Sequence, residues 1–133
     1  MLLTLRDQIL VVLDYEDPQH AEELIERLAL YRESIGKRND LKKERLRRVL
    51  YQMVEYEDLL EPWVRVIARR KNRRFFKWVR VGELNCDPNF FDHYREPLLL
   101  HYRLTPKGWQ RQRDIFNALV RRSAWYPKKG GRS

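Results

Sequence analysis

The sequence predicts a single α+β domain: three helices, then a β-hairpin, a third strand and a C-terminal helix. Three observations predict this class. The first 56 residues place apolar side chains at helical spacing. Residues 63–81 contain two runs rich in β-branched and aromatic side chains on either side of a polar hexapeptide. The chain has 133 residues and is 43% hydrophobic, which suits one globular domain, predicted to span residues 1–126.

The first two helices are predicted from their start signals and apolar periodicity. A capping arrangement at Thr4 opens the first helix, whose apolar stripe ends near Asp14. Asp17-Pro18 places a side-chain acceptor before a proline at the first helical position, and the second helix then keeps its period to about Ser34. Gly36 closes this helix.

The third helix is predicted from Leu41 to about Tyr56, after Asn39-Asp40. Its core-facing stripe consists of Leu46, Val49, Leu50 and Met53. The opposite face carries Glu44, Arg48, Tyr51 and Glu55, with Arg45 and Arg47 at the two edges. An arginine-rich face of this helix is therefore expected to be exposed.

A β-hairpin with a basic tip is predicted next. Its strands are Trp63–Ala68 and Phe75–Val81. The tip consists of Arg69, Arg70, Lys71, Asn72, Arg73 and Arg74. Because the tip lacks glycine, Asn72 is expected to adopt the left-handed conformation there.

The last third of the sequence predicts a loop, a strand and a helix. Residues 82–97 contain glycine, prolines and several aromatic side chains, which is typical of an inserted loop. Leu98–Leu104 is predicted as the third strand, and Thr105-Pro106 caps the last helix. Residues 127–133 are predicted to form a disordered basic tail.

The charge of the chain is unevenly distributed. The net charge is +9, yet residues 1–36 hold eight acidic and three basic side chains. Residues 37–48 hold seven basic and two acidic side chains, and residues 65–80 hold eight basic side chains and no acid. Two blocks of one sign indicate a localised basic surface. Such a surface favours an anionic partner and argues against a weakly charged metabolic enzyme.

The sequence offers little support for catalysis or metal binding. The single cysteine, Cys86, cannot form an intrachain disulfide, which favours a reducing cytoplasm. Cysteine, histidine and aspartate cluster at Cys86, Asp87, Asp92, His93 and His101, but their spacing matches no metal motif. Neither a phosphate-binding loop nor a nucleophile elbow is visible. We therefore expect a protein without enzymatic activity, metal or cofactor. The apolar runs are too short for a membrane anchor, and the first one lacks the preceding basic region of a secretion signal, so neither is expected.

The order of elements and two segments carry a resemblance to a known family. The strand that runs into Tyr102–Gly108, YRLTPKG, resembles the segment that closes the wing in winged-helix transcription regulators of the PadR and MarR kind. Residues 48–61 also resemble the end of their recognition helix, with Asp58 where those families usually have glycine. The inserted loop 82–97 and a wing without glycine depart from the pattern.

This resemblance implies a winged helix-turn-helix that binds double-stranded DNA as a cytoplasmic transcription regulator. It implies that the recognition helix meets the major groove with Lys43, Glu44, Arg45, Arg47, Arg48 and Tyr51. Arg69, Arg70, Lys71, Arg73 and Arg74 would lie on the wing, beside phosphates or the minor groove. The residue chemistry agrees, since arginine can donate bidentately to guanine and a basic tip can release counterions from phosphates.

Other functions fit parts of the same pattern. The arginine-rich helix face could be an ordinary solvated surface with Glu44 and Glu55 paired internally, and the basic surface could dock on an acidic protein. Trp63, Phe75, Phe76 and Trp78 could stack on single-stranded DNA or RNA, although strand alternation buries about half of such residues.

The apolar stripe of the last helix leaves two roles open. It consists of Trp109, Phe116, Leu119 and Val120, with Trp125 further along. These residues could belong to the core of the chain or form a dimer face. The resembling families dimerise through this helix, so the resemblance implies a homodimer.

Overall fold

The computed structural model describes residues 3–14, 17–38, 40–81 and 96–131, with side chains as far as Arg121. The helices are α1 (Leu5–Val12), α2 (Ala21–Ser34), α3 (Lys43–Glu55) and α4 (Pro106–Gly131). The strands are β1 (Gln19–His20), β2 (Leu60–Arg70), β3 (Arg73–Arg80) and β4 (His101–Leu104), which form one antiparallel sheet in the order β1-β4-β2-β3. The predicted α+β class is confirmed.

The start of α2 differs from its prediction, whereas the start of α1 agrees. Thr4 Oγ1 accepts a hydrogen bond from Asp7 N at 3.2 Å and caps α1 as predicted. Asp17-Pro18 does not begin α2, because Gln19–His20 forms β1, a strand that the sequence did not predict, and pairs with β4. His20 then caps α2, its Nδ1 accepting from Glu22 N at 3.0 Å. A pairing with a strand far along the chain thus prevails over a local start signal.

The third predicted strand is shorter than expected. Pro97–Leu99 forms a 3-10 turn, in which the Glu96 side chain accepts from Leu98 N. The strand begins only at His101. Tyr102 Oη donates to the carbonyl of Pro97 at 2.7 Å, so the turn folds back against the strand that follows it.

The core lies between the helices and one face of the sheet. Its fully buried side chains from the helices are Ile9, Leu10, Leu24, Leu28, Leu46, Leu50 and Met53. The sheet contributes Leu60, Val64, Tyr102 and Leu104, all on the face turned toward the helices. Helix α4 packs on α1 at the buried Gln112, whose Nε2 donates to the carbonyls of Leu10 and Leu13 near the C-terminal end of α1.

The segment between β4 and α4 joins that helix to the turn before β2. Thr105 Oγ1 donates to the carbonyl of Asp58 and accepts from Gly108 N, and Thr105 N donates to the carbonyl of Leu59. Asp58 has φ of 52°, a left-handed conformation that glycine favours. The YRLTPKG segment therefore has a structural role in this chain.

Helix α4 continues through Gly131, past Pro127, where the sequence predicts the tail to begin. The disorder of residues 127–133 stays a prediction. Residues 82–95 of the predicted loop lie outside the described residues. In the part of the chain that the structure describes, no helix has the length and apolar character needed to span a bilayer.

Candidate nucleic-acid interface

Helix α3 presents a polar face opposite its core stripe. Leu46, Leu50 and Met53 are fully buried, as their spacing predicts. The exposed side chains of the predicted site are Lys43, Glu44, Arg45, Arg48 and Tyr51. Lys43, Arg45 and Arg48 make no ion pair with any described residue, so their charges remain available to a ligand.

Arg47, unlike the other cations of the predicted site on α3, forms ion pairs within the chain. It is half-buried, and its Nε donates to Glu96 Oε1 at 2.7 Å, while Nη1 pairs with Glu44. The hydrogen bond from Arg47 lowers the pKa of Glu96, which keeps that carboxylate charged. The guanidinium predicted to contact DNA is therefore engaged within the chain, where it ties α3 to the turn at Pro97.

A shallow groove lies beside the exposed face of α3. It is lined by Arg47, Arg48, Tyr51, Gln52, Tyr56 and Pro97. Tyr51 and Tyr56 pack edge to face, with ring centroids 6.0 Å apart. Arg48 thus lines the same groove as the two tyrosines and Arg47, and it makes no ion pair with any described side chain.

The N-terminal side of α3 is anchored by a buried arginine that the sequence patterns did not identify. Arg32 of α2 is only 4% exposed. Its Nε donates to Gln8 Oε1 at 3.1 Å, and its Nη1 donates to Asp40 Oδ1 at 3.3 Å. Arg32 therefore connects α1, α2 and the residues that lead into α3. Arg32 continues the buried stripe of Ala21, Leu24 and Leu28 on α2. An apolar pattern does not include it, because its side chain is charged.

The hairpin tip has the predicted composition and a defined turn. Arg69 pairs with Arg74 and Arg70 with Arg73, so Lys71 and Asn72 form a two-residue turn. Both have positive φ, 49° and 65°, as a type I′ turn requires. The left-handed conformation predicted for Asn72 is confirmed, and Lys71 shares it.

All six tip residues are exposed, because the hairpin extends beyond the core. None of its five cations forms an ion pair with a described residue. Neighbouring like charges repel one another, so the tip is poised to gain energy from a polyanion that neutralises them.

The predicted apolar stripe of α4 is divided by the fold. Leu119 packs against the core, next to the buried Ile115. Phe116 and Val120 remain 41% and 64% exposed, and Trp109 is partly exposed with the Arg113 guanidinium 4.8 Å from its ring centroid. An exposed apolar strip therefore runs along α4 beside its core contact.

The histidine and cysteine cluster is only partly described. Cys86, Asp87, Asp92 and His93 lie outside the described residues, whereas His101 lies in β4. Among the residues that the structure describes, no group of three histidine, cysteine or acidic side chains could hold a metal ion.

Comparison of the chain with known proteins found no matching family model, curated protein or solved structure.

Proposed function

We propose that this protein is a winged-helix, double-stranded DNA-binding protein that acts as a homodimeric transcription regulator. In this proposal α3 enters the major groove, and the β2–β3 hairpin is the wing. The observation that carries the proposal is the wing tip, where five exposed cations have no acidic partner among the described residues. A duplex supplies the closely spaced phosphates that such a tip neutralises.

The two parts of the interface have different roles. Arg48 and Tyr51 lie on the exposed face of α3, so Arg48 can reach a base edge and donate bidentately to guanine. The wing arginines lie on an exposed hairpin tip and contact phosphates. Arg47 positions α3 through Glu96.

The proposed function is tested by measuring how much Arg48 contributes to the discrimination between DNA sequences. Arg48→Ala should cost about 1–3 kcal/mol on a preferred duplex obtained by selection, and much less on random duplex. The matched variant Arg73→Ala should weaken binding to both duplexes alike, because phosphates carry no sequence information. Paired titrations by fluorescence anisotropy measure both effects.

Two results would contradict this division. Equal losses on both duplexes for Arg48→Ala would remove α3 as the reading element. If selection yields no preferred duplex at all, sequence-specific duplex recognition is rejected, as expected of a module that docks on an acidic partner.

Dimerisation through α4 has its own test. Phe116→Asp and Val120→Asp place charges on the exposed apolar strip and should shift the protein from dimer to monomer. Ala118→Asp puts the same charge on an exposed position elsewhere around α4 and should leave the dimer intact. Light scattering at micromolar concentration gives the masses. A monomeric wild-type protein would contradict the dimer.

A further inference from the structure

The face of the sheet turned away from the helices combines aromatic and basic side chains. Strand register places these side chains in cross-strand rows on that face. From the core end to the wing tip, the rows are Glu61 and Arg103; His20, His101, Trp63 and Arg80; Arg65 and Trp78; Ile67 and Phe76; and Arg69 and Arg74. We call this surface the outer sheet face.

The aromatic rings of this face are not covered by the core. Phe76 is 61% exposed, and Trp63 and Trp78 are partly exposed. Phe75 lies on the opposite face of the same strand and is 44% exposed. Strand alternation thus separates Phe75 from the other three aromatic residues, and none of the four is buried as a core residue.

The arginines of this face lie against its aromatic rings. The Arg65 guanidinium is 3.9 Å from the centroid of Phe76, and that of Arg80 is 5.3 Å from the centroid of Trp63. Among the described residues on this face, Glu61 is the only carboxylate, 3.6 Å from Arg80. Flat rings and held guanidinium groups therefore alternate over a surface with a large excess of positive charge.

The row of His20, His101, Trp63 and Arg80 adds two histidine rings to this surface. The ring of His101 lies 4.8 Å from those of His20 and Trp78, edge to face. Burial, followed by the charges of His20 and Arg65, lowers the pKa of His101 to about 4, so its ring is uncharged at neutral pH. Trp63 Nε1 and His101 Nδ1 are buried in this row and have no hydrogen-bond partner among the described residues.

We propose that the outer sheet face binds single-stranded nucleic acid, with unpaired bases stacked on Trp63, Trp78 and Phe76 and phosphates held by the neighbouring arginines. In a duplex the bases stack on one another and cannot offer their faces to aromatic side chains, so only unpaired nucleotides use this surface. The excess of arginine favours a polyanion.

The dimensions of the face fit a short stretch of strand. Trp63 and Arg69 are six residues apart on β2, about 20 Å, and successive rows are about 7 Å apart. This length accommodates two or three stacked bases. Arg69 and Arg74 belong both to this face and to the wing tip, so substitutions of the aromatic residues distinguish the two surfaces.

The decisive comparison is between two neighbouring phenylalanines. Phe76→Ala should weaken binding of a fluorescent oligothymidylate or oligouridylate of about 12 nucleotides by roughly fivefold to a hundredfold, as loss of one stacking contact predicts. Phe75→Ala removes the same side chain from the other face and should change affinity less than twofold. Phe76→Trp should retain binding. Equal losses for the two alanine variants, or no binding of either oligonucleotide, would overturn the proposal.

Two further arms separate stacking from charge and from duplex binding. An abasic oligonucleotide of the same length should bind more weakly and should not respond to Phe76→Ala; equal affinity for abasic and thymidylate strands would overturn the stacking. Arg48→Ala should leave oligonucleotide affinity unchanged, and a loss as large as that of Phe76→Ala would place the strand on α3 instead. If sequence-specific duplex binding fails while the Phe76 effect holds, only the proposed function is rejected.

Discussion

Replacing the four wing arginines with alanine is expected to flatten the salt dependence of duplex binding by as much as about 3 to 4 in logarithmic slope, since each phosphate contact contributes about 0.9. The affected residues are Arg69, Arg70, Arg73 and Arg74. They are exposed and form no ion pair with described residues, so the variant should keep its helical content and thermal midpoint. Anisotropy titrations between roughly 50 and 200 mM salt measure the slope.

Two double variants, one for each face of the hairpin, show which face of the tip contacts phosphates. Arg69 and Arg74 lie on the outer sheet face, whereas Arg70 and Arg73 lie on the other face. A tip that enters the minor groove uses both pairs, and each double variant should lower the slope by about 2.

The charge-matched control for these pairs is Lys107→Ala with Arg121→Ala, which removes two exposed cations from α4. It should change the slope much less, because it acts only through the long-range field. An unchanged slope in the fourfold variant would exclude the wing from the interface.

Gly108→Ala is expected to destabilise the fold by about 3 kcal/mol or more, a large part of the typical stability of a domain. A Cβ atom at this position would lie 1.9 Å from the carbonyl oxygen of Leu59, which is backbone and cannot rotate away. Helix α4 would have to move from the turn at Asp58, breaking the hydrogen bonds of Thr105. Urea denaturation gives the change in the free energy of unfolding.

The sign of this change discriminates between two effects. Helix propensity alone predicts that alanine at position 108 stabilises α4 by about 1 kcal/mol. Gly36→Ala is the control, because Gly36 has φ of 73° and no atom within 4 Å of an added Cβ, so it should cost only about 1–2 kcal/mol of backbone strain. A Gly108→Ala variant as stable as Gly36→Ala would contradict the close approach of α4 to Leu59.

Local patterns in the sequence determined much of the fold and part of the candidate site. The stripe of Leu46, Leu50 and Met53 fixed which face of α3 is buried, and therefore that Arg48 and Tyr51 are exposed. The basic hexapeptide between two apolar runs identified the hairpin tip, with Asn72 left-handed. These features follow from side-chain periodicity and turn chemistry within a few residues, which a sequence displays directly.

Contacts between distant segments decided the rest. Arg47 has the sequence features of a DNA contact, yet its guanidinium is held by Glu96, 49 residues away. Pairing of Gln19–His20 with β4 displaced the start of α2, and packing on the core took Leu119 out of the apolar stripe of α4. The alternation of side chains along β2 and β3 divides them between two faces of the sheet. Which of the two faces is buried depends on where the helices pack. Local spacing sets which side chains share a surface, whereas the partner of that surface is set by chain segments that meet only in the folded state.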